Sequence, residues 1–250
     1  NEFELYYQPQ IDLRTNTLVS MEALIRWNQP TKGLILPMNF IPLAEETGLI
    51  VPIGEWVLRK VCMQIKQWEN EGIPLLRVAV NIATKQLRQV GFDKIVESIL
   101  KEYDVAPEFL ELELTENILI NNLDMSNVIV NLKKLGVQIS LDDFGAGYSS
   151  LNYLRELPID RIKIDQSYVR NIEQGRGDSV IIQAIIAMAQ SMKLEVLAEG
   201  VENQNQLDFL LNNSCGTIQG YYYSKPLTVK EIETFIKERG WELGPKATIE

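Results

Sequence analysis

The sequence predicts an α/β fold, a TIM-like (β/α)8 barrel modified by one antiparallel strand. Three observations carry this expectation. Short β-type runs alternate with amphipathic helical patterns along the 250 residues, as they do where helices cover a parallel sheet. Eight strand-like runs can be counted, and repetition at this length fits a closed barrel better than an open sheet. The first two runs are separated by about ten residues, too few for a parallel crossover, so they pair antiparallel.

Those two runs are FELYYQP and LVSMEALIRW. A helix is expected near NFIPLAEETG, with Asn39 as its N-cap. The next spans about 53–70, with Ile53, Trp56, Val57, Val61 and Ile65 on one stripe. Strand RVAVNIA precedes helix FDKIVESILKEY, and strand LELELTE precedes helix MSNVIVNLKKLG, closed by Gly136. Strand VQISLDD leads to helix SSLNYLREL, stopped by Pro158. RIKID, EVLAEG and TIQGYYY are the remaining strands. Their helices are DSVIIQAIIAMAQSMK, NQNQLDFLLNN and TVKEIETFIKERG, the last opened by Thr228. One domain fills residues 1–250, with a core over about 3–240 and a peripheral tail at 241–250. The abrupt opening on a strand is expected of a domain within a longer protein.

Composition narrows the chemistry. A net charge of −10 argues against binding polymeric nucleic acid. No apolar run is long enough to span a bilayer, and no secretory leader opens the chain. Of two distant cysteines, Cys62 and Cys215, Cys62 lies in a helical pattern and reads as a buried thiol, and cysteine usage is compatible with a reducing cytoplasm. There is no histidine, which removes His zinc sites and Ser-His-Asp triads together. Any metal must be held by oxygen donors, which favours Mg²⁺, Mn²⁺ or Ca²⁺.

Polar residues recur at the strand ends, where a barrel sets its mouth: Asn81, Glu113, Asp142 with Asp143, Lys163 with Asp165, Glu199 and Gln219. Glu22 joins them from the second strand. Singly, each has a plainer reading. Glu111 and Glu113 could face water on an amphipathic strand, Lys163 could pair with Asp165, Asn81 could cap a helix, and Gln219 could bond a neighbouring backbone. Jointly, Glu22, Asn81, Glu113 and Asp142 supply four oxygen donors for a hard divalent cation. Asp142 could bridge to a second cation, with Asp143 alongside. Adjacent residues of a regular strand point to opposite faces, so both aspartates reach one site only if the strand ends there and Phe144-Gly145 begins a turn. Two such cations would share a water and stabilise the entering and leaving oxygens of a displacement at phosphorus. Glu199 would act as base or complete the second cation's shell, and Lys163 would face developing negative oxygens.

The ordered blocks MEALIRW, VAVNIA, LELELTE, LDDFGAGYSSL, IKIDQSYV, LAEGVE and QGYYYSKP resemble the bacterial EAL cyclic di-GMP phosphodiesterases over nearly the whole chain. The resemblance implies hydrolysis of one phosphodiester of cyclic di-GMP to linear pGpG with Mg²⁺ or Mn²⁺. Ca²⁺, with its looser coordination, is expected to inhibit such a two-metal site. It implies Glu22, Asn81, Glu113, Asp142 and Asp143 as metal ligands, with Lys163 and Glu199 in the catalytic centre and Gln219 supporting it. Glu116 matches the acid holding the loop after the aspartate pair, and Glu202 a supporting acid. Gln8, Leu24, Arg26, Asp165 and Pro226 match substrate contacts. It also implies a homodimer beside sensory or GGDEF-type domains. The setting would be cytoplasmic, or the cytoplasmic part of a membrane-anchored protein, with no membrane contact by this domain. Ala146 and Ala83 stand where relatives often carry Thr and Ser, and no matched catalytic residue is replaced. A binding-only cyclic di-GMP receptor is the alternative. A barrel glycosidase using two carboxylates has no need of Asn81, Lys163 and a contiguous acid pair.

Overall fold

A computed structural model describes residues 2–116, 125–145, 154, 156–172 and 177–239. The expected helix at SSLNYLREL, position Ala146 and the tail at 241–250 lie wholly or largely outside them. Among the described residues there are nine strands. They are β1 (Phe3–Asp12), β2 (Thr17–Gln29), β3 (Gly33–Ile35), β4 (Arg77–Ile82), β5 (Leu110–Thr115), β6 (Gln138–Phe144), β7 (Arg161–Ile164), β8 (Glu195–Ala198) and β9 (Thr217–Gln219).

Eight strands close a ring in the order β1-β9-β8-β7-β6-β5-β4-β2, with β2 returning to β1. From β4 to β9 every neighbour pair in the ring is parallel, and β2 joins β4 in parallel. Only β1 runs against both of its neighbours in the ring. This is the modified barrel that the short first connection predicts. The ninth strand, β3, is a three-residue addition paired to the far end of β2. Its GLI sequence is too short to show a period of two.

Each barrel strand sorts its residues by that period. On β5, Leu110, Leu112 and Leu114 join the apolar core shared with the helices, while Glu111 and Glu113 are equally buried inside the ring. The helices at 50–70, 92–103, 126–135 and 178–191 carry Val61, Val96, Leu132 and Ile186 into that core. Helix ends follow local chemistry. Gly136 takes φ +102° after the 126–135 helix, as expected. Thr228 Oγ1 accepts the Glu231 N–H at 3.4 Å at the start of the 229–239 helix.

Three expectations are corrected. Asn39 lies in a 3-10 turn, and the helix at Ile41–Thr47 starts after Phe40 with no side-chain cap; Pro42, whose missing N–H costs nothing in a first turn, starts it instead. The helix expected from 53 begins at Ile50. The strand expected through Tyr223 stops at Gln219, because Gly220 begins a turn that the Val201 carbonyl and N–H anchor. Both cysteines are free and buried. Among the described residues no helix is long and apolar enough to cross a membrane.

Candidate active site

Lys163 is the hub. Its Nζ lies 2.8 Å from Glu199 Oε1, 2.9 Å from Glu113 Oε1 and 3.1 Å from Asp142 Oδ1. The lysine and Glu113 side chains are 1 % and 0 % exposed. The register explains the convergence. Asn81 sits beside Glu113, and Lys163 beside Leu197, so the last inward residues of successive strands meet at one end of the ring. Glu22 enters from β2. Its carboxylate accepts from Asn81 Nδ2 at 2.6 Å and from Gln219 Nε2 at 2.5 Å.

Several acids around one lysine leave an excess of negative charge. Burial raises the Glu113 carboxyl well above its ordinary range; Lys163 opposes this, and Glu22 and Asp142 add to it. Burial likewise pushes Glu199 up to about 8, against the pull of Lys163. Burial, with the charges of Asp142 and Asp165, brings Asp143 to about 6. Glu22 ends below its ordinary value because Lys163 and its amide donors outweigh burial. Lys163 stays protonated: burial opposes its charge, but Asp142, Glu113 and Glu199 hold its pKa well above normal.

The aspartate pair reaches one site by an unexpected route. The strand does not end at Asp142; β6 runs on through Phe144. Its pairing with β7 shifts register between Leu141 and Phe144, a bulge. Asp143 takes φ +54° there, and Gly145 follows at +94°. One left-handed residue turns the second acid so that carboxylate oxygens of Asp142, Asp143 and Glu199 all lie within 4.8 Å of one another. Glu116 Oε2 accepts the Gly145 N–H at 3.3 Å, and the Tyr168 hydroxyl donates to the Gly145 carbonyl. Glu116 therefore holds the backbone just past the acid pair.

The donor set fits a hard divalent cation. All the candidate ligands are oxygens. Both Glu113 oxygens are buried without a directed hydrogen bond, the Lys163 contact being close but poorly aligned. Such acceptors are costly unless a cation or donor meets them. A bound dication would oppose the upward shifts of Glu113, Glu199 and Asp143.

An EAL domain model matches residues 1–226 of this sequence. The chain belongs to the EAL domain family. It is 43% identical over 246 residues to the cyclic di-GMP phosphodiesterase NbdA of Pseudomonas aeruginosa, covering 98% of this chain and 31% of that protein. To the cyclic di-GMP phosphodiesterase PdeR of Escherichia coli it is 42% identical over 238 residues, 95% of this chain and 36% of that protein. The chain thus spans about a third of the length of these relatives. It also resembles the solved PaMucR phosphodiesterase in complex with c-di-GMP, at TM-score 0.89 and 38% identity, covering 92% of this chain and 94% of that one.

The other expected residues of this EAL domain lie around the cluster or apart from it. Gln8 accepts from Gln219 Nε2 at 3.0 Å and donates to the Ser224 carbonyl at 3.2 Å. Leu24 borders a mostly apolar cavity of about 430 Å³ that reaches Asn81. Arg26, buried, donates to the Ile25 carbonyl and lies 5.5 Å from the centre of the Tyr6 ring. Asp165 caps the 166–170 helix, accepting the Ser167 N–H at 3.0 Å. Pro226 is half-buried next to Leu227, whose backbone exchanges hydrogen bonds with Tyr7. Glu202 stands apart, exposed, 3.6 Å from Arg170 Nη2. Sequence reasoning left out a second polar layer inside the ring, made by Gln10, Ser20, Glu111 and Arg161. The signal was present: each sits two residues before or after an expected site residue on its strand, and so faces the same way.

Proposed function

We propose that this EAL domain hydrolyses one phosphodiester bond of cyclic di-GMP to linear pGpG, using Mg²⁺ or Mn²⁺. The observation that carries the reading is the convergence of Glu113, Asp142 and Glu199 on one buried lysine, with Glu22 and Asn81 bonded alongside. Its support from relatives is that two at more than 40% identity are named cyclic di-GMP phosphodiesterases.

Glu22, Asn81, Glu113, Asp142 and Asp143 would hold the cations. When bound, these supply Lewis acidity to water and to the phosphate oxygens. Water oxygen adds to phosphorus as one ring P–O bond breaks. Glu199 takes one proton from the water, and that proton, passed on directly or through solvent, ends on the departing oxygen, which leaves as a hydroxyl. A base must present its unprotonated form at the working pH, and the Lys163 ammonium 2.8 Å from the half-buried Glu199 favours the carboxylate, as bound cations would. Lys163 keeps its charge and steadies the negative oxygens. Arg26 pairs with a phosphate oxygen, while Leu24 and Pro226 pack on ribose or base. Gln8 and Asp165 complete the substrate contacts, and Gln219 and Glu116 support the centre. The reading extends to a cytoplasmic homodimer with sensory or GGDEF-type domains in the same protein.

The test is incubation of the purified protein with cyclic di-GMP in Mg²⁺ or in EDTA, with products identified by mass spectrometry. Conversion to pGpG in Mg²⁺ alone is the expected result. Tight binding without conversion in either buffer would replace the enzyme with a receptor.

A further inference from the structure

Beneath the acid cluster a line of buried amides runs down the inside of the ring. Gln219 Nε2 donates to Glu22 Oε2 at 2.5 Å and to Gln8 Oε1 at 3.0 Å. Gln219 Oε1 accepts from Gln10 Nε2 at 2.8 Å. Gln10 Oε1 in turn accepts from Arg161 Nη1 at 3.0 Å and from Ser20 Oγ at 2.6 Å. Arg161 is held below by Glu111 at 3.1 Å and Glu195 at 2.7 Å. Gln10, Ser20, Glu22, Glu111, Arg161 and Gln219 are all buried.

The line has a direction. A guanidinium can only donate, and a carboxylate can only accept. Arg161 at the foot therefore demands the oxygen of Gln10. That turns the Gln10 amide nitrogen towards Gln219, and the Gln219 nitrogen towards Glu22. Reversing either amide would set oxygen against oxygen at one of its contacts and nitrogen against a donor at another. Because these side chains are buried, such mismatches would leave polar groups unpaired away from solvent. Both fixed ends impose the same polarity, so the arrangement reinforces itself.

We infer that Gln10 and Arg161 are positioning residues for the Glu22 carboxylate, acting through the amide of Gln219. This rests on the reading of Glu22 as a metal ligand. The aim of a ligating carboxylate is set by the donor bonded to its other oxygen, and here that donor's orientation is decided two contacts away, on β1 and β7. Neither Gln10 nor Arg161 touches the acid cluster itself, and their effect passes through Gln219.

The experiment measures Mn²⁺ affinity of the purified protein by electron paramagnetic resonance and, separately, turnover across Mn²⁺ concentrations. The variants are Gln10→Met, which removes the directing amide, and Gln10→Glu, which keeps its shape but presents two acceptors. Folding is followed by near-ultraviolet circular dichroism. In whichever variant folds, Mn²⁺ binding is expected to weaken roughly ten-fold or more, and added Mn²⁺ is expected to restore turnover. A purely structural role would lower the melting temperature without that rescue. Mn²⁺ affinity within about two-fold of the unaltered protein in a folded variant overturns the inference alone. Failure of both variants to fold also overturns it, since packing then accounts for Gln10. Absence of Mn²⁺ binding by the unaltered protein overturns the reading of Glu22, and this inference with it.

Discussion

The Lys163 ammonium and the Glu199 carboxylate form a 2.8 Å ion pair at the mouth of the barrel, the lysine fully buried. The pair has two consequences. Lys163 opposes the effect of burial and favours the Glu199 carboxylate, and it is the cation about which three acids are gathered.

Glu199→Gln preserves shape and removes the proton acceptor. Turnover of cyclic di-GMP is expected to fall by roughly 10²- to 10⁴-fold, the usual contribution of a general base, with substrate binding retained. Lys163→Met leaves buried acids unpaired and is expected to lower stability in EDTA by roughly 3–5 kcal/mol. Denaturant titration reads the second effect; an unchanged midpoint would show that Lys163 does not hold the cluster together.

Cation binding to the folded state alone should raise stability, by about 2.7 kcal/mol at a hundred times the dissociation constant. Calorimetry in Mg²⁺ against EDTA is expected to show this rise in the unaltered protein and to lose it in Glu22→Ala. A persistent rise in Glu22→Ala removes Glu22 from the ligand set.

Calcium offers a different outcome. Its looser, larger coordination shell is expected to occupy the same oxygens without supporting hydrolysis. Rates measured with Mg²⁺ and increasing Ca²⁺ should fall, and equal rates with either ion alone would contradict the geometry proposed.

Gly220 makes a close backbone approach at the mouth. A Cβ there would stand 2.1 Å from the Val201 carbonyl oxygen and 2.3 Å from its nitrogen, and neither can move cheaply. Val201 N–H also bonds the Gln219 carbonyl at 3.2 Å. Gly220→Ala is expected to cost about 1–3 kcal/mol by overpacking and to disturb Gln219. Thermal unfolding within half a degree of the unaltered protein would show that the approach is relaxed.

At the opposite end of the barrel, burial raises the Glu195 carboxyl, but Arg161 and Arg77 outweigh it and leave the group below its ordinary 4.5. A depressed carboxyl stabilises the fold above its unfolded pKa, and that contribution is lost as pH falls through the folded one. Melting temperatures in EDTA should therefore decline below pH 4.5, and less steeply in Glu195→Gln. Parallel curves for the two proteins would exclude the linkage.

The alternation of short strands with helical stripes was enough to specify the barrel, its antiparallel first strand and the polar residues at its mouth. Those properties follow from local periodicity and connection length, which a sequence displays directly. Glu22, Glu113 and Lys163 could be singled out because each interrupts an apolar run with a charge that needs a partner. What partner each meets was decided only by ring closure. Lys163 could have paired with nearby Asp165, yet it meets Glu113 of β5, Asp142 of β6 and Glu199 just past β8. The bulge that turns Asp143 with φ +54°, and the donor line from Arg161 to Glu22, were likewise settled by register between strands far apart in sequence. Register depends on how all eight strands close together, and no short stretch of chain carries that information.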